Sequence, residues 1–351
     1  MKCNLDCDYC LSDLYGGHDN STAHPPIDQC LKSIDFMFEY VDLYMANKIR
    51  GIKQVILNVY GGESLHHPQI VDILTAVHEK HKKYQSHWQL TVTTTTNAII
   101  SEKKLTKIIP LIDEFTVSYH TNNTDKQKHQ FKQNLLKIKE HHRRMKCVVL
   151  MHADQTLFDD SMQMISWLTD NEIKYLPKQL DHHVDEVQFN YTSKQVKWFE
   201  NVYDQKTHKS LLDKPTLVQD NQGHVDLADS GRSCCGGKQL CANQNYRSRE
   251  FFVYNKFPDW YCSVNHFFLH VKQVTGEIFT NKDCKMNFTN SVGPIGTLDQ
   301  VDKLLAYTKE HLSNNTVPII QCKKNQCFCG LCAPKSQDLE TFINIMKKYH
   351  I

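Results

Sequence analysis

No stretch of these 351 residues stays apolar for long enough to span a bilayer, and the N-terminus lacks the basic-then-apolar profile of a signal peptide. A cytoplasmic protein with no membrane partner is therefore expected. Neither sign of charge dominates: 41 basic residues face 39 acidic ones. That balance argues against a membrane surface or stable nucleic-acid binding, and no basic face with interleaved aromatics suggests an RNA partner. The basic run His141-His-Arg-Arg144 reads as the solvated end of a helix. There is no internal repeat and no low-complexity linker, and the apolar content excludes a fibre or a disordered chain. Asn-x-Ser/Thr sequons such as Asn190-Tyr-Thr192 carry no meaning in a cytosolic, Asn-rich chain.

What the chain does have is cysteine, 14 in all. Without a secretion signal, clustered cysteines read as metal ligands rather than disulfides. Cys3, Cys7 and Cys10 form a C-x3-C-x-aromatic-C pattern with Tyr9 as the aromatic residue. Three thiolates this close on one loop can wrap a metal centre. Iron–sulfur clusters normally take four thiolates, so three ligands would leave one iron of a [4Fe–4S] cube open to a non-protein ligand. A zinc loop is the alternative for such a motif taken alone. Cys30 and Cys147 fall in a helical and a strand-like stretch and read as buried small apolar residues.

The spacing of apolar residues predicts a helix over 27–49, with Leu31, Ile34, Phe38, Val41 and Tyr44 on one face. The run Lys53-Gln-Val-Ile-Leu-Asn-Val-Tyr60 reads as a buried strand stopping at Gly61-Gly62. The alternation then continues: helix 69–84, strand 88–96, helix 101–109, strand 114–119, helix 126–142, strand 146–152, helix 159–171, strand 173–179 and helix 193–204. Strands alternating with helices over short connections argue for a parallel sheet covered by helices. From about residue 205 the rhythm breaks. Residues 214–292 are rich in Gly, Asn and Asp, with hairpin signals around Gly223 and Gly276, and nine cysteines lie between 234 and 332. Two domains are expected, 1–204 and a cysteine-rich module at 205–351.

Cys3, Cys7, Tyr9 and Cys10, followed by Gly61-Gly62-Glu63 at the end of the next strand, resemble the radical S-adenosylmethionine (SAM) superfamily. The resemblance covers roughly residues 1–200 and implies an α/β fold, a partial (β/α)6 TIM-type barrel. It also implies a [4Fe–4S] cluster on Cys3, Cys7 and Cys10 whose open iron binds the amino and carboxylate groups of SAM. An electron from the reduced cluster then cleaves the sulfonium C–S bond, and the 5′-deoxyadenosyl radical abstracts a hydrogen atom from substrate. Gly61 and Gly62 would let backbone approach the methionine moiety, and Glu63 would accept from its ammonium. Tyr9 would sit beside the adenine. Thr95 and Asn97, in the run Thr93-Thr-Thr-Thr-Asn97, would form the next SAM-facing edge, and Ser118 and His120 would contact ribose or substrate. All of these fall at C-terminal strand ends, where barrel enzymes place their chemistry. The family's strand before the first cysteine has only Met1 and Lys2 to form it here, so either the true start lies further upstream or the barrel edge is open or covered by another element.

The later cysteines resemble the auxiliary-cluster extensions called SPASM and twitch domains. Cys262, Gly276 and Cys284 precede Gly293-Pro-Ile-Gly296, and Cys322, Cys327, Cys329 and Cys332 follow. The spacing departs from the full SPASM arrangement and suits a twitch-like module with at least one auxiliary [4Fe–4S] cluster. Cys262, Cys284, Cys327 and Cys329 are its first-choice ligands, with Cys322 and Cys332 as substitutes; Cys234, Cys235 and Cys241 could join Cys332 around a second cluster. A structural zinc remains open for C-x-C-x2-C. By analogy with families bearing such modules, the expected substrate is a peptide or protein side chain, with a nucleotide, nucleobase or other small molecule as the alternative. An external electron donor of flavodoxin or ferredoxin type is implied. The reading from another class is a non-catalytic iron–sulfur electron carrier or zinc protein.

Overall fold

The computed structural model describes residues 3–5, 7, 9–10, 24–46, 54–141, 144–180, 190–207, 218–219, 225–226, 258–266, 268–281, 284, 286–323 and 335–350. The chain falls into two compact units. One comprises Met1–Pro25, Val55–Glu79 and Leu90–Thr207; the other comprises Pro26–Gln54, Lys80–Gln89 and His208–Ile351. Among the described residues no helix is long and apolar enough to cross a membrane.

A long helix, α1 (Ile27–Ala46), precedes the first strand and belongs to the second unit. The first unit is built on a parallel sheet of five strands: β1 (Gln54–Val59), β2 (Gln89–Thr96), β3 (Glu114–Tyr119), β4 (Met145–Met151) and β5 (Tyr175–Gln179). Helices α2 (Ile70–His81), α3 (Glu102–Ile108), α4 (Asp125–His141) and α5 (Gln155–Asp170) connect them, and α6 (Ser193–Thr207) follows. The strands lie in the order 1-2-3-4-5. Right-handed crossovers between strands in that order put every connecting helix on the same face, the winding of an arc of a (β/α) barrel. The expected α/β alternation is thus present with its five strands, and the position before Cys3 lies outside the described residues.

Side-chain alternation fixes which face does what. On β3, Phe115, Val117 and Tyr119 are buried, and the Tyr119 ring meets Phe131 of α4 with centroids 5.3 Å apart. Thr116 and Ser118 therefore face away from the helices. Register carries this face across the sheet, pairing Thr95 with Thr116 and Ser118 with Val148. On β4, Met145, Cys147, Val149 and Met151 fill the helix-facing core. Cys147 and Cys30 are both buried, as their apolar surroundings in sequence suggested.

The helix before β5 begins at Gln155 rather than 159. Asp154 accepts backbone hydrogen bonds from Thr156 and Leu157, at 2.9 and 3.1 Å, and caps a turn whose apolar periodicity is weak. The basic run behaves as expected at its ends: α4 stops at His141, and Arg144 is exposed beside Glu114.

In the second unit, Phe36, Tyr40 and Tyr44 of α1 share a core with Val271, Ile278, Leu298 and Phe342. Asp42 of α1 accepts from His87 Nδ1 at 2.8 Å and from Trp88 Nε1 at 3.3 Å, holding the 80–89 segment against the helix. Two small antiparallel sheets follow. One orders β11 (Gly296–Thr297), β10 (Glu277–Phe279) and β9 (His270–Lys272) side by side. The other orders β12 (Ile320–Gln321), β8 (Tyr261–Cys262), β13 (Lys335–Ser336), β7 (Val225–Asp226) and β6 (Val218–Gln219). Helices α7 (Val301–Ser313) and α8 (Leu339–His350) complete the unit.

Both hairpins expected from glycine are present in the pairing: β6 with β7 around residue 223, and β9 with β10 at Gly276. Gly276 has φ +73° and donates its N–H to Lys272 at 2.8 Å, a conformation that disfavours any residue with a Cβ.

Candidate functional site

Four of the five C-terminal strand ends meet the cysteine loop. Asn4 accepts from Asn97 Nδ2 at 2.7 Å just past β2, and its own Nδ2 donates to the Ile99 carbonyl at 3.3 Å. Past β3, His120 Nδ1 lies 3.0 Å from the Tyr9 hydroxyl and 3.4 Å from Cys7 Sγ. The Tyr9 and His120 rings stack with centroids 5.9 Å apart, and His152, past β4, sits 6.2 Å from the Tyr9 ring. Past β5, Leu180 is buried with Cys7 and Tyr9. The loop itself is turned by a hydrogen bond from Cys10 N–H to the Cys7 carbonyl at 3.0 Å.

The remaining strand end, that of β1, reaches the loop through Glu63. Gly61 and Gly62 turn the chain with φ of 106° and 52°, and Glu63 follows, 1% exposed. Its carboxylate accepts from the Asn97 N–H at 2.6 Å, the Thr96 hydroxyl at 2.7 Å and the Leu65 N–H at 3.2 Å. Asn97 in turn holds Asn4, so the glycine turn, the end of β2 and the cysteine loop form one hydrogen-bonded chain. A carboxylate offers about four acceptor directions, so one remains for a further donor such as an ammonium. Burial pushes the Glu63 carboxyl up to about 7, against the pull of its three donors and of Lys104.

Thr95 is exposed and Ser118 half-buried on the face turned away from the helices, whereas Asn97 is buried at 4% exposure. His120 is driven down to about 4 by burial, which keeps its imidazole neutral near pH 7. The turn after β3 also buries Thr121 and Asn123, whose side-chain hydroxyl and amide atoms have no hydrogen-bond partner among the described residues. Buried polar groups are costly when unsatisfied, and a polar ligand at this strand end would relieve that cost.

The thiols test the fit of a cluster. Cys7 is 9% exposed, while Cys3 and Cys10 are half-buried. Burial pushes the Cys7 thiol up to about 11, and it raises Cys3 as well; Cys10 and Cys3 add to the Cys7 shift, and Glu63 and Cys10 to that of Cys3. Thiolates are thus mutually unfavourable here, and a bound cationic centre reverses that balance. Among the described residues no three His, Cys, Asp or Glu side chains converge on one point that could hold a single metal ion. A cubane takes each thiolate on a separate iron and does not require such convergence. Three soft ligands on one short loop fit it.

In the second unit, β8 and the stretches following β10 and β12 bring three of the later cysteines together. Cys262 and Cys284 share a buried cluster with Trp260, Val264, Met286 and Ile320. Cys322, also buried, donates its N–H to the Trp260 carbonyl at 2.9 Å, two residues before Cys262. Cys234, Cys235, Cys241, Cys327, Cys329 and Cys332 lie outside the described residues.

Sequence reasoning passed over Asn4, Asn122 and His152. Asn4 sits inside the cysteine motif, and both Asn122 and His152 lie within three residues of a strand end, which is the signal that could have found them. No protein-family model matches the chain, and no curated protein matches it in sequence.

Proposed function

We propose that this protein is a radical SAM enzyme with an auxiliary iron–sulfur module. The observation that carries the reading is the seating of Cys7 and Tyr9 against His120 at the C-terminal edge of a parallel sheet, with Asn4, Asn97 and Glu63 linking the same loop to the glycine turn. Open α/β sheets place their ligands at this edge.

Cys3, Cys7 and Cys10 would hold a [4Fe–4S] cluster. The glycine turn, Glu63 and Asn97 would receive the methionine end of SAM, with Tyr9 beside the adenine. When bound, cluster and SAM would supply reductive cleavage of the sulfonium C–S bond, with one electron from a flavodoxin- or ferredoxin-type donor, and with it the means to take a hydrogen atom from substrate. The chain's own part is to bind and orient. Glu63 keeps a buried acceptor, and away from water an ammonium would bind it more strongly than in solution. Thr95 and Ser118 offer hydroxyls on the sheet face turned from the helices.

Cys262, Cys284 and Cys322 are proposed as ligands of an auxiliary cluster, completed from the cysteines at 327, 329 and 332. The substrate proposed is a peptide or protein side chain, with a nucleotide or other small molecule as the alternative.

Binding of SAM to anaerobically reconstituted protein, measured by calorimetry, tests the reading. Binding that disappears in Cys7→Ala and weakens in Glu63→Ala supports it. No binding to a protein that carries its clusters would favour an electron carrier instead.

A further inference from the structure

Asn122 follows His120 by two residues, and its amide Nδ2 lies 3.5 Å from Cys7 Sγ. Its oxygen lies 3.5 Å from the Tyr9 hydroxyl, whose one proton goes to the nearer His120 Nδ1. A thiolate can only accept, so the end of the amide that faces it is the N–H. The opposite polarity, Cys7 S–H donating to Oδ1, is longer at 3.8 Å and needs a proton that a thiolate ligand no longer carries. His120 also approaches the sulfur, at 3.4 Å, but its Nδ1 is closer to the Tyr9 hydroxyl, at 3.0 Å. When Nδ1 accepts from that hydroxyl, it has no proton for sulfur. Cys7 is also the motif cysteine in the buried class, so water competes least there.

We propose that Asn122 is a positioning residue whose side-chain N–H donates to the Cys7 thiolate and thereby raises the reduction potential of the cluster on Cys3, Cys7 and Cys10. The inference rests on the function proposed above. Reduction adds negative charge to cluster and thiolate sulfurs, and a donor to one of those sulfurs stabilises the reduced form more than the oxidised one. The amide would thus make the first electron easier to deliver.

The test is a redox titration followed by low-temperature electron paramagnetic resonance on the reconstituted wild-type protein, Asn122→Leu and Asn122→Asp. The signal followed is the one that shifts when SAM is added, which separates this cluster from any auxiliary one. Asn122→Leu removes the donor, and a tenfold loss in the reduced-to-oxidised ratio is expected, about 59 mV for one electron. Asn122→Asp is isosteric, removes the donor and adds a negative charge, so its potential should fall further.

Iron content and melting temperature are measured alongside, and the isosteric Asp variant keeps the comparison available where Leu disturbs loading. Unchanged potentials in variants with full iron content overturn the inference and leave the functional reading intact. A wild-type protein that loads no SAM-responsive cluster overturns both.

Discussion

The Glu63 carboxylate accepts a 2.6 Å hydrogen bond from the Asn97 N–H, tying the glycine turn after the first strand to the end of the second. This carboxylate is buried, and its pKa rises from 4.5 to about 7, with burial as the leading cause. The folded chain therefore holds the proton to higher pH than the unfolded chain. The associated stability is fully present below about pH 4.5 and is lost as pH rises through 7, a change on the order of 3 kcal/mol. Urea denaturation of the cluster-free protein should show stability falling between pH 5 and 8, and Glu63→Gln, which cannot ionise, should flatten that fall. Equal pH slopes in the two proteins would remove Glu63 as the cause.

Tyr9 combines a buried ring with a hydroxyl 3.0 Å from His120 Nδ1. Tyr9→Phe keeps the ring and should cost about 1 kcal/mol, the net worth of one hydrogen bond. Tyr9→Ala also empties the space beside Cys7 and Leu180 and should cost about 3 kcal/mol or more. Denaturation midpoints of the two variants separate these contributions; equal losses would mean that the ring's packing carries no weight.

The hairpin at Gly276 isolates a backbone effect. A Cβ at this position would meet its nearest neighbours at 3.5 and 3.6 Å, ordinary contact, so the obstacle is the φ of +73° and not space. Gly276→Ala should cost about 1 to 2 kcal/mol, and Gly276→Asn less, since Asn tolerates the left-handed region. A thermal melt of each variant checks the order.

The later cysteines make a countable claim. The reconstituted protein should carry at least about eight irons per chain, four for each cluster. Cys262→Ser with Cys284→Ser should lose about four of them and leave SAM binding in place. Loss of SAM binding together with the iron would show that the two sets of cysteines do not act separately.

Much of this architecture was legible in sequence because period and punctuation carried it. The β-branched run at 54–59 ends on Gly61-Gly62, and the strand at 114–119 has the expected limits. The start of α5 was missed because it depends on a cap, Asp154, rather than on an apolar stripe. At the candidate site, the cysteine motif and Glu63 stood out by spacing. Asn97 stood out as well, at the end of its strand; Asn4 and Asn122 were passed over because they fasten the loop through hydrogen bonds across 93 and 115 positions, and only their places inside the cysteine motif and just past a strand end mark them. Sequence could place Cys262, Cys284 and Cys322 in one module; it is the pairing of β8 with β12 that sets Cys322 beside Trp260 and Cys262.

The most direct measurement is product analysis of the anaerobically reconstituted, dithionite-reduced protein incubated with SAM. Equal amounts of 5′-deoxyadenosine and methionine are expected from the wild type, and none above background from Cys7→Ala. Cleavage that persists unchanged in Cys7→Ala, or its absence from a wild-type protein carrying the cluster, would contradict the account.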